Sequence, residues 1–218
     1  MSEASNERPT RLMFDADTAV AHLRAVDPTL GALMDRCEPF APSTTAAPDV
    51  FHSLVRAIVY QQLSGKAAGT IHRRLLDALG GGDAPGAERI AAADDATLRA
   101  AGLSQNKMLS LQALAAAQLA GELPDESRLD DYDDAELIER YSAIRGIGRW
   151  TVEMLLLFHL GRPDVMPIHD LGVRKGYAIT YGREELPKPK QLERECEIWR
   201  PYRSVGSWFM WRATELSP

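Results

Sequence analysis

Cysteine is scarce in this 218-residue chain: Cys37 and Cys196 are the two present, far apart in sequence. They form no metal-spaced cluster and no disulfide framework, so a reducing compartment is the simple expectation. The histidines (His22, His52, His72, His159 and His169) show no zinc-ligand spacing with cysteine or carboxylate, so no catalytic metal is expected. No apolar run approaches the roughly 20 residues that cross a bilayer. No signal peptide is visible. The expectation is a soluble cytoplasmic protein with no membrane partner. A convincing strand is missing as well, since apolar residues recur at helical rather than alternating spacing.

Charge is unevenly placed. The net charge is −6, but residues 1–139 carry 12 Lys/Arg against 22 Asp/Glu, a balance of −10, while residues 140–218 carry 13 against 9, a balance of +4. A polyanionic partner is disfavoured by the sum and allowed by the distribution, because a local basic face governs phosphate binding.

Helical patterns fill most of what is there. The spacing predicts helices over 15–24, 28–37, 50–60, 64–79, 87–92, 95–101, 105–119, 170–179, 189–199 and 205–214. Ser64, Ser104, Asp133 or Asp134, Asp170 and Ser204 are candidate N-caps. Residues 1–11 read as a flexible tail, 39–48 as a proline-rich loop, and Gly80-Gly81-Gly82 as a helix stop. Residues 12–218 are expected to form one all-α, two-lobed domain, with lobes of about 12–48 plus 130–218 and of 49–129. Residues 124–134 are acidic and loop-like, a plausible link between lobes.

The segment LIERYSAIRGIGRWTVEMLLLFHLGRPDVMPIHD, residues 137–170, carries the most information. Leu137, Ile138, Tyr141 and Ile144 recur at helical spacing. Gly146 and Gly148 then flank Ile147 in a tight turn, and a second helix follows at once with Val152, Leu155, Leu156 and Leu157 inward. A Gly-x-Gly turn opening a helix aims backbone N–H groups and a positive dipole end outward, which suits a phosphate.

This pattern resembles the helix–hairpin–helix DNA glycosylases, in particular the 3-methyladenine DNA glycosylase II type. RGIGRWT is similar to the family hairpin, and Asp170 in MPIHDLGVRKGY stands where the family keeps its catalytic aspartate. FHSLVRAIVYQQLSGKAAGTIHRRL, AGLSQNKMLSLQALA and RPYRSVGSWFMWR resemble further family segments in the family's order. The likeness runs from about Val50 to Arg212. It implies an all-α fold with a DNA-binding cleft between two lobes, and double-stranded DNA bearing a damaged base as partner, bound by a monomer.

The implied chemistry is base excision: the enzyme flips a nucleotide out of the stack and hydrolyses the bond from base to sugar. Asp170 would stabilise the oxocarbenium-like sugar and help its water attack; an N-cap role for the same residue is compatible. Trp150 stands where strand-cutting relatives carry a Schiff-base lysine, so no lyase step is expected. Trp150 and Trp211 would line the base pocket, with Trp208, Met154 and Tyr60 as further walls. Electron-rich rings suit cationic purines such as 3-methyladenine and 7-methylguanine. Trp199 reads as core.

Gln62 is the expected DNA wedge, with Leu63 and Gln61 as alternatives. Gly146, Gly148, Arg145, Arg149, Ser64, Lys66 and His169 are expected at phosphates. The carbonyls of Ser142, Ile144 and Ile147 would hold a structural monovalent cation, and no catalytic cofactor is implied. The iron–sulfur loop of some relatives needs four cysteines and is excluded here. Two alternatives stay open. One is a monofunctional glycosylase for uracil, hypoxanthine or ethenoadenine. The other is a non-catalytic DNA-binding module, which would need neither Asp170 nor Trp150.

Overall fold

The computed structural model describes residues 7–9, 11–45, 47–81 and 85–216. Residues 1–6 and 10 of the expected tail, and Gly82 of the expected helix stop, lie outside the described residues. Along the chain run β1 (Glu7–Pro9), α1 (Ala16–Val26), α2 (Pro28–Met34), β2 (Ser43–Thr45), α3 (Val50–Tyr60), α4 (Gly65–Ala78), α5 (Ala87–Ala92), α6 (Asp95–Ala100) and α7 (Gln105–Leu119). A 3-10 turn (Glu126–Asp131), α8 (Asp134–Ser142), α9 (Arg149–Met154) and a π turn (Leu155–His159) follow. The chain closes with α10 (Leu171–Thr180), α11 (Pro189–Glu195), a 3-10 turn (Cys196–Trp199) and α12 (Arg203–Leu216).

The fold is all-α apart from one ribbon, β1 paired antiparallel with β2 in the register Glu7↔Thr45, Arg8↔Thr44 and Pro9↔Ser43. The sequence reading expected no strand there, placing a loose tail at one partner and a loop at the other. Three-residue strands are too short to show alternation, and their pairing is decided by a distant segment.

Two compact units divide the chain: residues 1–46 with 156–218, and residues 47–155. The second boundary thus falls at 155/156 and not near residue 130, so the acidic 3-10 turn, α8, the hairpin and α9 stay with the middle helices. The reason is packing. Leu129, Leu137, Tyr141, Ile147 and Val152 are all buried, and α8 packs on α9.

In the unit of residues 1–46 and 156–218, Asp27 is the N-cap of α2, with Pro28 at the first helical position. Asp27 is 5% exposed. Its Oδ1 accepts the Leu30 N–H, and its Oδ2 accepts the Tyr181 hydroxyl at 2.5 Å and Trp199 Nε1 at 2.8 Å. A buried carboxylate is tolerable when so fully hydrogen-bonded. Burial and the bond to Asp27 push the Tyr181 pKa upward. Trp199 is fully buried, as expected of core, among Leu23, Leu30, Val173, Leu192 and Phe209. Each such aliphatic or aromatic burial contributes about 1.5–3 kcal/mol. Helices α10 and α12 cross so closely that a Cβ at Gly176 would overlap the backbone of Met210. Ser204 is not an N-cap: it lies inside α12, donates to Arg162 O at 2.6 Å and accepts the Val165 N–H at 2.9 Å. A short polar residue ahead of an apolar run looks like a cap in sequence, yet here the hydroxyl satisfies a neighbouring loop.

In the unit of residues 47–155, α3 and α7 share a core that includes Leu54, Ile58, Met108, Leu111 and Leu114. Ser104 caps α7, and Asp133 with Glu136 forms a capping box on α8. Among the described residues no helix is long and apolar enough to cross a membrane.

Candidate active site

Asp170 is the N-cap of α10. Its Oδ1 accepts two N–H donors: the backbone of Val173 at 2.8 Å and the indole Nε1 of Trp211 at 2.9 Å. The backbone on either side is also held, Asp170 N donating to Pro167 O at 2.9 Å and Arg174 N to Asp170 O at 3.1 Å. Position 172 must stay open for this arrangement. A Cβ on Gly172 would stand 2.7 Å from Trp211 Cδ1 and 3.1 Å from Asp170 Oδ1. The carboxylate is therefore fixed by a helix start and by a ring from a second helix, partly buried and reachable from outside.

Trp211 also lines a small, partly open aromatic pocket with Trp208, Phe158, Phe40, Phe14 and Arg162 among its walls. Phe158 lies against Trp211, centroids 5.6 Å apart, and Phe40 meets Trp208 edge-on at 5.4 Å. Trp208 is 8% exposed and Trp211 partly buried. The structure thus brings the Asp170, Trp211 and Trp208 candidates together. It adds Phe14, Phe40 and Phe158, which the sequence reading missed. Phe158 sits in the π turn, a break that recurs at functional sites. Nothing in a single sequence marks such a turn. Phe40 carried one weak signal, an aromatic inside a proline-rich loop.

The other pocket candidates belong to the unit of residues 47–155. Trp150 stands at the start of α9 and is 50% exposed, too open for a core side chain of its size. Met154 is partly buried. Tyr60 packs between α3 and α4, with the Arg56 guanidinium 3.6 Å from its ring centroid and His72 edge-on at 6.2 Å. Burial, reinforced by Arg56, lowers the pKa of His72.

In the same unit the hairpin follows α8. Gly146 has φ +82°, a left-handed conformation, and a Cβ there would overlap Ser110 in α7. Gly148 is the N-cap of α9 and makes no side-chain cap. Arg145 is exposed, and Arg149 pairs with Glu153 at 2.8 Å while more than half its side chain stays open. Ile144 O accepts the Ile147 N–H at 3.1 Å, which closes the turn.

The turn expected to supply the wedge joins α3 to α4. Gln62 is exposed with φ +57°, the one non-glycine among the described residues in the left-handed region. Leu63 is 40% exposed. Gln61 is the C-cap of α3, and its Nε2 donates to Gly146 O at 2.9 Å. That bond occupies Gln61 and leaves Gln62 and Leu63 as the residues that project. Ser64 caps α4 through Ala67 N–H, while Lys66 and His169 are exposed.

The profile of the HhH-GPD superfamily, described as base excision DNA repair proteins, matches residues 55–201. DNA-3-methyladenine glycosylase 1 of Schizosaccharomyces pombe is 34% identical over 212 residues, spanning 97% of this chain and 93% of that protein. The solved structure of a 3-methyladenine DNA glycosylase from the same yeast, in complex with abasic DNA, aligns with a TM-score of 0.81 at 35% identity, covering 92% of this chain and 98% of that one. A DNA-3-methyladenine glycosidase from Bacillus halodurans aligns with a TM-score of 0.80 at 31% identity, covering 96% and 93%.

Proposed function

Because the chain belongs to the HhH-GPD superfamily of base excision DNA repair proteins, we propose that it is a monofunctional DNA-3-methyladenine glycosylase. It flips alkylated purines, 3-methyladenine and 7-methylguanine among them, out of duplex DNA and hydrolyses the base–sugar bond without cutting the strand. The observation that carries this reading is the Asp170 carboxylate, fixed through Oδ1 by Val173 N–H and Trp211 Nε1, beside an aromatic pocket that shares Trp211.

The electron pair of the C1′–N bond goes to the departing base. A base that was cationic leaves neutral, so it requires no strong general acid. Positive charge builds on the sugar, and the Asp170 carboxylate opposes it across a short distance. Water adds to C1′ and gives its proton to the carboxylate. Fixing the carboxylate beforehand spares its reorganisation during the reaction. Trp211 offers a ring face that attracts a cationic base, while the Trp208 ring is buried and already meets the Arg212 guanidinium. Trp150 has no amine to attack C1′, which supports hydrolysis without a Schiff base.

Duplex DNA is held by a monomer. The turn at Gly146 and Gly148 and the side chains of Arg145 and Arg149 meet one phosphate, and Ser64, Lys66 and His169 lie near others. Gln62 enters the gap left by the flipped base, with Leu63 beside it. The Ser142, Ile144 and Ile147 carbonyls would hold a monovalent cation as hard oxygen donors, Ile144 O sharing its lone pairs with the Ile147 N–H. Such an ion would supply positive charge to the hairpin that meets the phosphate.

The test is single-turnover base release from duplex DNA carrying methylated purines, wild type against Asp170→Asn. Release of 3-methyladenine with an uncut abasic product, and at least about a 100-fold loss in the variant, is expected. Wild-type protein that binds this DNA and releases nothing overturns the substrate assignment. Release that survives the substitution removes Asp170 from its role.

A further inference from the structure

Gln62 adopts its left-handed backbone with an ordinary L side chain, a conformation that costs on the order of 1 kcal/mol and persists only where neighbours impose it. The turn is held from several sides. Gln61 N donates to Ala57 O at 3.2 Å and Leu63 N to Tyr60 O at 3.4 Å, both local bonds. Lys107 of α7 donates through Nζ to Val59 O at 2.6 Å, which ties down the last turn of α3. The remaining tie is the Gln61 side chain, bonded at 2.9 Å to the carbonyl of Gly146 in the hairpin, 85 residues away in sequence. That carbonyl has little freedom. Gly146 is left-handed and backed by Ser110, whose hydroxyl donates to Asn106 O at 2.8 Å. Helix α7 thus braces both the stem of the wedge turn and the hairpin, and Gln61 bridges the two.

We propose that Gln61 is a positioning residue that couples the hairpin to the wedge: by holding Gly146 O it keeps Gln62 in the left-handed conformation from which it enters the duplex. This rests on the reading of Gln62 as the wedge. A side-chain amide is required for the bridge, because the hairpin atom is an acceptor. Methionine at this position would fill similar space without donating, and glutamate would set a carboxylate against a carbonyl. Phosphate capture at the hairpin then also fixes the wedge, so binding and base extrusion are geometrically linked within residues 47–155.

The test is a double-mutant cycle on the full chain with Gln61→Met, Gln62→Ala and both together, and Gln61→Glu as a second disruption of the bridge. Four quantities are read: single-turnover release of 3-methyladenine, fluorescence of a 2-aminopurine placed beside the lesion, DNA affinity, and the thermal midpoint. Gln61→Met is expected to slow release and to diminish the extrusion signal by about 5- to 10-fold, the scale of one net hydrogen bond. Its affinity and midpoint stay near wild type. In the Gln62→Ala background the same change costs less than about 2-fold, because a residue acting through Gln62 has nothing left to position. Additive losses overturn the coupling, and so does a loss confined to affinity or to the midpoint. If Gln62→Ala releases base at the full rate, the wedge reading falls and the coupling with it. If Gln62→Ala is slow while Gln61→Met and Gln61→Glu are silent, the coupling alone falls. Should Gln61→Met not fold, Gln61→Glu takes its place in the cycle with the same expectations.

Discussion

The indole of Trp211 donates to Asp170 Oδ1 at 2.9 Å. One tryptophan therefore serves both as a wall of the aromatic pocket and as a restraint on the carboxylate. The two roles separate in Trp211→Phe, which keeps an aromatic face and loses the donor. A hydrogen bond to a charged group contributes about 1.5–3 kcal/mol. Base release is expected to fall by about 10- to 100-fold in single turnover, with DNA affinity little changed. Unaltered release would mean that the indole only stacks.

Gly172→Ala should act on the same contact from below. The added methyl would stand 2.7 Å from Trp211 Cδ1, so the ring must retreat and loosen its bond to Asp170. A loss of about 10-fold in base release is expected, alongside a destabilisation of about 1–3 kcal/mol from overpacking. Adding the change to Trp211→Phe should give less than the sum of the two losses, which a double-mutant cycle would read.

Gly146→Ala meets two penalties at once, a positive φ and the Ser110 side chain. A destabilisation of roughly 2–4 kcal/mol is expected, read by urea unfolding. Gly148 has no close neighbour at its Cβ position and an extended backbone. Gly148→Ala should therefore keep the midpoint and weaken DNA binding instead. The opposite ranking of the two variants in stability would contradict the packing described here.

Burial holds the pKa of His72 below its ordinary value of 6.5, and Arg56 adds to the effect. Below 6.5 the unfolded chain binds the proton more readily than the folded one, so stability present above that pH is lost as pH falls through it. The thermal midpoint of the wild type should drop more between pH 7 and pH 5 than that of His72→Gln. Parallel pH profiles for the two proteins would show that His72 titrates the same way folded and unfolded.

Much of the helical framework is legible in the sequence because it is local. The ends of α3, α5 and α7 fall where periodicity and caps put them, α4 stops within a residue of the expected glycine stop, and the position of Asp170 ahead of LGVRKGY marks it as an N-cap. What resisted reading depends on distant residues. Ser204 looks like a cap and is instead a bridge to Arg162 and Val165. The second helix of the hairpin motif passes into a π turn that places Phe158 at the pocket, and no propensity announces it. Gln61 and Gln62 are adjacent and chemically identical. Only the bond from Gln61 to Gly146 tells the tethered one from the projecting one. The resemblance to a glycosylase family supplied roles for Asp170 and Trp150 that spacing alone could not.

The crossing of α10 with α12 at Gly176 leaves no room even for a methyl group against the Met210 backbone. One end of α10 begins at the Asp170 carboxylate proposed to react, and α12 carries the ring that restrains it, so the two partners are registered against each other through main chain, not through adjustable side chains. Anyone wishing to retune which base this protein accepts should leave both helices alone. The places to vary are Phe158 in the π turn and Phe14 and Phe40 in the preceding loops, and because Phe158 packs on Trp211 and Phe40 on Trp208, each exchange must keep the bond from Trp211 to Asp170.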